Sequence, residues 1–276
     1  MRAVRYTRDG GEARIGRLED DHVVDAGPAG AIGFDASSEA WATVAAAAGE
    51  AIALDAVRLL HPVVPGKLIG IGLNYRDHAA ESELDIPAVP VVFAKFGSSL
   101  TGHGERIVIP REETRPDYEG EVGVVIGRRT YRADAAAARA AVGGLTALND
   151  VSGRRAQLET PLRQFTLGKS FDTFAPMGPC IAAADGTDLE SIGIRTTVSG
   201  EVMQDSSTKN LIFSIVELIV YCSAGMTLEP GDVIATGTPG GVGDSRKPPR
   251  YLRDGDVVEV SVDGVGTLRN PVAFEP

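Results

Sequence analysis

Asp117-Tyr118-Glu119-Gly120-Glu121-Val122-Gly123-Val124-Val125-Ile126-Gly127 is the stretch whose reading decides the fold. Its β-branched, period-two character predicts a strand, so Glu119 and Glu121 point the same way, about 7 Å apart. Two like charges on one face of a half-buried strand are costly unless a cation neutralises them. Carboxylate oxygens suit Mg²⁺, Mn²⁺ or Ca²⁺ rather than zinc. An ordinary pair of this spacing on an edge strand would face water instead. Here Val122, Val124 and Ile126 fill the alternate register, which predicts a buried strand with its acidic pair facing inward or into a cleft. A third carboxylate arrives in Leu148-Asn149-Asp150-Val151-Ser152, where the apolar run 141–147 gives out. Alone, Asp150 would read as a turn or cap residue. With the two glutamates it completes a candidate site for a hard divalent metal.

Outward from that stretch, the 276-residue chain is long enough for one large domain or a small domain plus a larger one. Short strand-like pieces at 3–6, 14–18 and 22–24, then an alanine-rich helix candidate over 38–51, give the first part its own texture. Pro62 and Pro65 bracket the boundary, so the expected division is a small N-terminal domain, 1–64, and a metal-binding catalytic domain, 65–276. In the second part 192–198 and 257–262 alternate, 232–235 is a short apolar strand, and 210–222 is the one convincing helix, closed by Gly225. Glycine-rich turns favour an α+β class with a mixed, mostly antiparallel sheet assembly over a doubly wound one.

The formal net charge is −11, with acidic residues scattered along the chain, which argues against nucleic acid and anionic membrane as partners. The N-terminus has no apolar targeting core, and the longest apolar stretch, 211–226, is interrupted by Glu217, so a soluble cytoplasmic protein is expected. The two cysteines, Cys180 and Cys222, sit among apolar neighbours and read as inert core thiols. Three glycine motifs need weighing. Gly70-Ile71-Gly72-Leu73-Asn74-Tyr75 resembles a dinucleotide fingerprint whose last glycine is replaced by Tyr75, which would obstruct helix–strand packing. Gly168-Lys169-Ser170 lacks the first glycine of a phosphate loop, since position 163 is arginine. The run Gly237-Thr238-Pro239-Gly240-Gly241-Val242-Gly243 could cradle an anion through its amides or be a tight turn.

Among groups able to do chemistry, His78 and Glu81 lie at i and i+3, so one helical turn sets them side by side as a general-base pair or an ordinary surface pair. Lys169, between apolar and aromatic residues, needs an anionic partner if it is buried: the carboxylate cluster or a substrate oxygen. A snorkelling surface lysine is the other reading. His22, His61 and His103 read as structural.

These residues resemble the fumarylacetoacetate hydrolase family from Lys67 to the end. The matching segments are Gly72-Leu73-Asn74-Tyr75-Arg76-Asp77-His78-Ala79-Ala80-Glu81, Asp117-Tyr118-Glu119-Gly120-Glu121, Asn149-Asp150-Val151-Ser152, Gly168-Lys169-Ser170-Phe171-Asp172-Thr173-Phe174 and Pro230-Gly231-Asp232-Val233-Ile234-Ala235-Thr236-Gly237-Thr238-Pro239. The resemblance implies a β-roll catalytic domain with a small N-terminal domain, a homodimer, and a Mg²⁺ or Mn²⁺ ion, for which Ca²⁺ can substitute, on Glu119, Glu121 and Asp150. It implies a water-activating His78–Glu81 dyad on a segment ordered by substrate. Lys169 would meet the substrate's enolate or carboxylate oxygen, Gln157 would lie near the leaving side, and Thr238, with the Gly237 loop, would bind the substrate carboxylate. One departure stands out: many relatives carry Ser-x-Arg-Asp where this chain has Ser152-Gly153-Arg154-Arg155, so Arg155 should turn outward or pair with an acid. The implied activity is hydrolysis of a C–C bond in an acylpyruvate or 2,4-diketo acid to pyruvate and a carboxylic acid. Oxaloacetate decarboxylation and isomerisation of a 2-hydroxy-diene-dioate are alternatives, and a silent keto-acid-binding scaffold is the non-enzymatic one. Arg76 could clamp a second carboxylate, as in fumarylpyruvate, or be a surface residue.

Overall fold

The computed structural model describes residues 1–159 and 161–276. At its centre lie two antiparallel strands, Gly120–Ile126 and Val142–Asn149, paired from Gly120 opposite Asn149 to Val125 opposite Gly144. Every residue of Gly120–Ile126 is buried, as its run of valines demands. Val233–Ala235 and then Leu68–Gly72 and Val91–Lys95 extend the sheet on one side. On the other side come Ala175–Ala183, Arg2–Thr7, Arg14–Glu19, His22–Pro28 and Ala51–Ala53. The N-terminal meander thus continues into the same sheet, through Arg2 opposite Ala182 and Ala3 opposite Ile181. The sheet has 12 strands among the described residues. Its pairs are antiparallel except Val233–Ala235 on Leu68–Gly72 and Leu100–Thr101 on Ala175–Ala183.

A second sheet runs Glu201–Ser207, Gly193–Val198, Val257–Val262, Gly266–Phe274 and Ile107–Ile109. Ile194, Val198, Val258, Val260 and Val262 face one hydrophobic core with Val122, Val124, Ile126 and Leu145 of the first. Each such side chain contributes about 1.5–3 kcal/mol by leaving water. The assembly is therefore α+β, mixed and mostly antiparallel, as the glycine-punctuated alternation predicts.

Three helices differ from the sequence expectation. The first spans Ser38–Ala45, capped by Ser37, rather than 38–51. Residues 51–53 leave the alanine-rich pattern to pair with His22–Val24 and bury Ile52, a tertiary gain that propensity does not contain. The helix expected over 210–222 spans Ile215–Ser223, because Ser214 and Glu217 form a reciprocal capping box that sets its start. A second alanine-rich stretch, for which no element was expected, forms the helix Ala135–Ala141, capped by Asp134. No helix among the described residues is long and apolar enough to cross a membrane.

Candidate metal centre and catalytic cavity

The carboxylates meet because of register. Gly120 opposite Asn149 puts Glu119 beside Asp150, and the ladder continues as Asp150 N donates to Glu119 O at 2.8 Å. Glu121, two residues on, shares the face of Glu119. One oxygen from each of Glu119, Glu121 and Asp150 lies within 4.8 Å of the others, and all three residues are buried. Gly120 stands between the glutamates because the second sheet presses here: a Cβ would meet Thr196 Oγ1 at 2.0 Å. The strand expected from 117 onward is interrupted. Pro116–Asp117 pairs with Ser152–Gly153, and the central strand resumes at Gly120. The cause is Asp117, whose carboxylate accepts from the amides of Tyr118, Gly243 and Asp244 at 2.9, 2.7 and 3.0 Å.

Buried cations answer most of this charge. Lys169 Nζ donates to Glu119 at 2.7 Å, Asp150 at 2.5 Å and Ser152 Oγ at 2.9 Å, and stands 5.0 Å from the centre of the Phe93 ring. Lys95 Nζ, fully buried, donates to the other Asp150 oxygen at 2.6 Å. Arg154 bridges Asp117 at 2.9 Å and Glu119 at 2.6 Å. Burial works against the charge on Glu119, yet Lys169 and Arg154 outweigh it and hold the carboxyl well below its usual range. Burial likewise opposes the Lys169 charge, and Asp150 and Glu119 overcome it and raise the ammonium. For Lys95 burial wins and lowers it. Glu121 is different: it accepts only the Gly237 amide, at 2.8 Å, and has no ion pair among the described residues. Burial, then Asp150 and Glu119, push its carboxyl well above the usual value. Four carboxyl groups, at 117, 119, 121 and 150, face three cations, and the one without a cationic partner, Glu121, stands at the oxygen cluster. That donor set fits a hard divalent cation such as Mg²⁺ or Mn²⁺.

The helix Arg76–Glu81 carries the dyad. Glu81 Oε1 accepts from His78 Nδ1 at 2.8 Å, which leaves Nε2 to take a proton. The glycine-rich run proves to be both turn and anion cradle, with the protein's own carboxylates as the anions. Gly237 N donates to Glu121, Gly240 N to Asp77 at 3.3 Å, Gly241 N to Glu81 at 2.7 Å and Gly243 N to Asp117. Gly237 has φ +101° and a Cβ there would lie 2.7 Å from that of Asn74, so no other residue fits.

His78, Glu81, Glu119, Arg154, Gln157, Lys169 and Thr238 line one cavity of about 790 Å³. Two expected substrate contacts lie elsewhere. Arg76 is exposed and does not line the cavity; Gly237 does not line it either and grips Glu121 instead. Thr238 lines it, but its hydroxyl donates to Gly120 O at 3.0 Å and accepts from Gln204 Nε2 at 2.7 Å. Gln157 Oε1 accepts from Arg154 at 2.9 Å. Arg155 neither turns fully outward nor pairs: it is half-buried, its backbone N–H donates to Glu113, and its Nε lacks a partner among the described residues. Both thiols are buried, with Cys180 pushed up to about 12 and Cys222 to about 11 by burial, in keeping with inert core residues.

The family model for the fumarylacetoacetate hydrolase C-terminal region matches residues 67–273. The chain belongs to the fumarylacetoacetate hydrolase family. It is 45% identical over 225 residues to the oxaloacetate tautomerase YisK of Bacillus subtilis, covering 79% of this chain and 74% of that protein. It is 42% identical over 218 residues to the mitochondrial oxaloacetate tautomerase fahd2 of Xenopus laevis, covering 78% and 68%. Among solved structures it resembles 5-carboxymethyl-2-hydroxymuconate delta-isomerase from Mycobacterium smegmatis, with a TM-score of 0.83, 34% identity and full coverage of both chains.

Two residues of this fumarylacetoacetate hydrolase family member escaped sequence reasoning. Lys95 closes the strand Val91–Lys95 on the same face as buried Phe93, so the alternation that buries Phe93 was a signal for it. Arg154 was visible only as part of a motif; its partners are 35 and 37 residues away in the chain.

Proposed function

We propose that the chain is a divalent-metal-dependent enzyme that interconverts the enol and keto forms of oxaloacetate or a closely similar 2-oxo acid. One observation carries this reading: an oriented imidazole, His78, opens onto the same cavity as Glu119 of the carboxylate cluster and Lys169. The names of the relatives, two oxaloacetate tautomerases and a 5-carboxymethyl-2-hydroxymuconate delta-isomerase, support proton transfer as the reaction class.

When bound, the divalent ion supplies Lewis-acid polarisation of the 2-oxo group. His78 Nε2 takes the proton from the carbon beside the carbonyl, the C–H pair becomes the carbon–carbon double bond, and the carbonyl pair moves onto oxygen. Glu81, fixed by the Gly241 amide, stabilises the imidazolium that results. Lys169 adds positive charge beside the developing oxyanion. Return of the proton to oxygen completes the enol; the reverse sequence gives the ketone.

A second reading has its own support. The same dyad can take a proton from water, and hydroxide attack on a distant carbonyl would split an acylpyruvate to pyruvate and a carboxylic acid. Both are tested with Mn²⁺-loaded protein by following enol absorbance of freshly dissolved oxaloacetate and of acetylpyruvate, with CO₂ release recorded in parallel. Enol–ketone exchange faster than buffer supports the tautomerase, and pyruvate from acetylpyruvate supports the hydrolase. Rates equal to buffer in every arm would sink both.

A further inference from the structure

We propose that Arg246 recognises a second carboxylate on the substrate and makes the cavity selective for dicarboxylates; this rests on reading the cavity as a 2-oxo acid site. Arg246 is half-buried and lines the cavity. Its Nε donates to Gly241 O at 3.2 Å and its Nη2 to Met203 O at 2.8 Å. Both acceptors are neutral carbonyls, the neighbouring Tyr118 hydroxyl is uncharged as well, and no anionic partner meets the guanidinium among the described residues. The guanidinium is held in one orientation with its charge unanswered, in a chain of net charge −11.

The other buried or half-buried cations around the cavity have acidic partners. Arg154 pairs with Asp117 and Glu119, and Lys169 with Glu119 and Asp150. Asp244, which also lines the cavity, is met by Arg115 at 2.7 Å and by Tyr251 OH at 2.6 Å, so it does not neutralise Arg246. A partly desolvated guanidinium without an anion is unfavourable until one arrives. Its fork geometry suits a carboxylate.

Position strengthens the case. Gly241 offers its carbonyl to Arg246 and its amide to Glu81, so the uncommitted cation and the dyad are anchored on one residue. A carboxylate close to the carbon addressed by His78 meets Arg246, while Lys247 and Arg163, both exposed, supply a softer positive rim. The role that the sequence suggested for Arg76 passes to Arg246.

The test uses two non-turning chelators of equal length, malate and 2-hydroxybutyrate, which differ by a carboxylate in place of a methyl group. Calorimetry on the Mn²⁺-loaded protein is expected to show malate binding about tenfold tighter or better, the effect of one charge-assisted contact. Arg246→Met should abolish that preference while 2-hydroxybutyrate affinity stays within about twofold. Equal weakening of both ligands would mean that Arg246 only braces the Gly241 turn, and would overturn the proposal. Wild-type protein that binds the two alike overturns it without any variant. Malate preference lost in Arg246→Met, in a protein that does not turn over oxaloacetate, would sink the tautomerase reading and leave this carboxylate subsite standing.

Discussion

Glu121 concentrates the chemistry of the centre into one side chain, since every other buried carboxylate there has a cation of its own. Glu121→Gln should lower Mn²⁺ affinity by about tenfold or more, equivalent to roughly 1.4 kcal/mol, in calorimetric titration with little change in the fold. Unchanged affinity would remove it from the ligand set. His78→Asn should behave oppositely, with turnover falling by about 10²–10⁴-fold and metal affinity holding. Glu119, Glu121 and Asp150 were legible in the sequence because a two-residue period and a strand end are local facts. Lys95 and Arg154 were not assigned because what makes them notable is which carboxylates they touch, and those come from other strands.

Elements were legible where their own residues decide them. The valine-rich strand Gly120–Ile126 and the alternating strands of the second sheet needed only periodicity. The first helix was read too long because residues 51–53 answer to His22–Val24, not to their alanine neighbours. The glycine run 237–243 stayed ambiguous because its acceptors come from 77, 81, 117 and 121, far off in the chain. Ser214→Ala, which removes the capping box of the helix Ile215–Ser223, should cost about 1 kcal/mol of stability, read as a lowered urea midpoint at unchanged slope. Metal affinity should be untouched, because this helix contributes no group to the centre; a parallel fall in Mn²⁺ binding would contradict that separation.

At the scale of the whole molecule, the N-terminal meander and the strands that carry the candidate metal ligands share one sheet, so acid that loosens the meander acts on a single continuous ladder. Asp25 accepts from Arg14 at 2.7 and 2.5 Å and from Tyr6 OH at 2.6 Å. The Arg14 guanidinium holds its carboxyl down at about 2, against burial. A lowered folded-state value contributes stability above the unfolded value, about 4, that is lost as pH falls through about 2. The gap in urea midpoint between the native chain and Asp25→Asn should therefore be complete near neutrality and close between about pH 4 and 2. A gap that persists at pH 2 would show that Asp25 acts through shape rather than charge.

The turn from Gly237 to Gly243 ties together parts that could otherwise drift independently. A single-residue insertion there would displace the amides that fix Glu121 and the imidazole's orienting acid at one stroke, so the candidate cation site and the proposed dyad would be lost together.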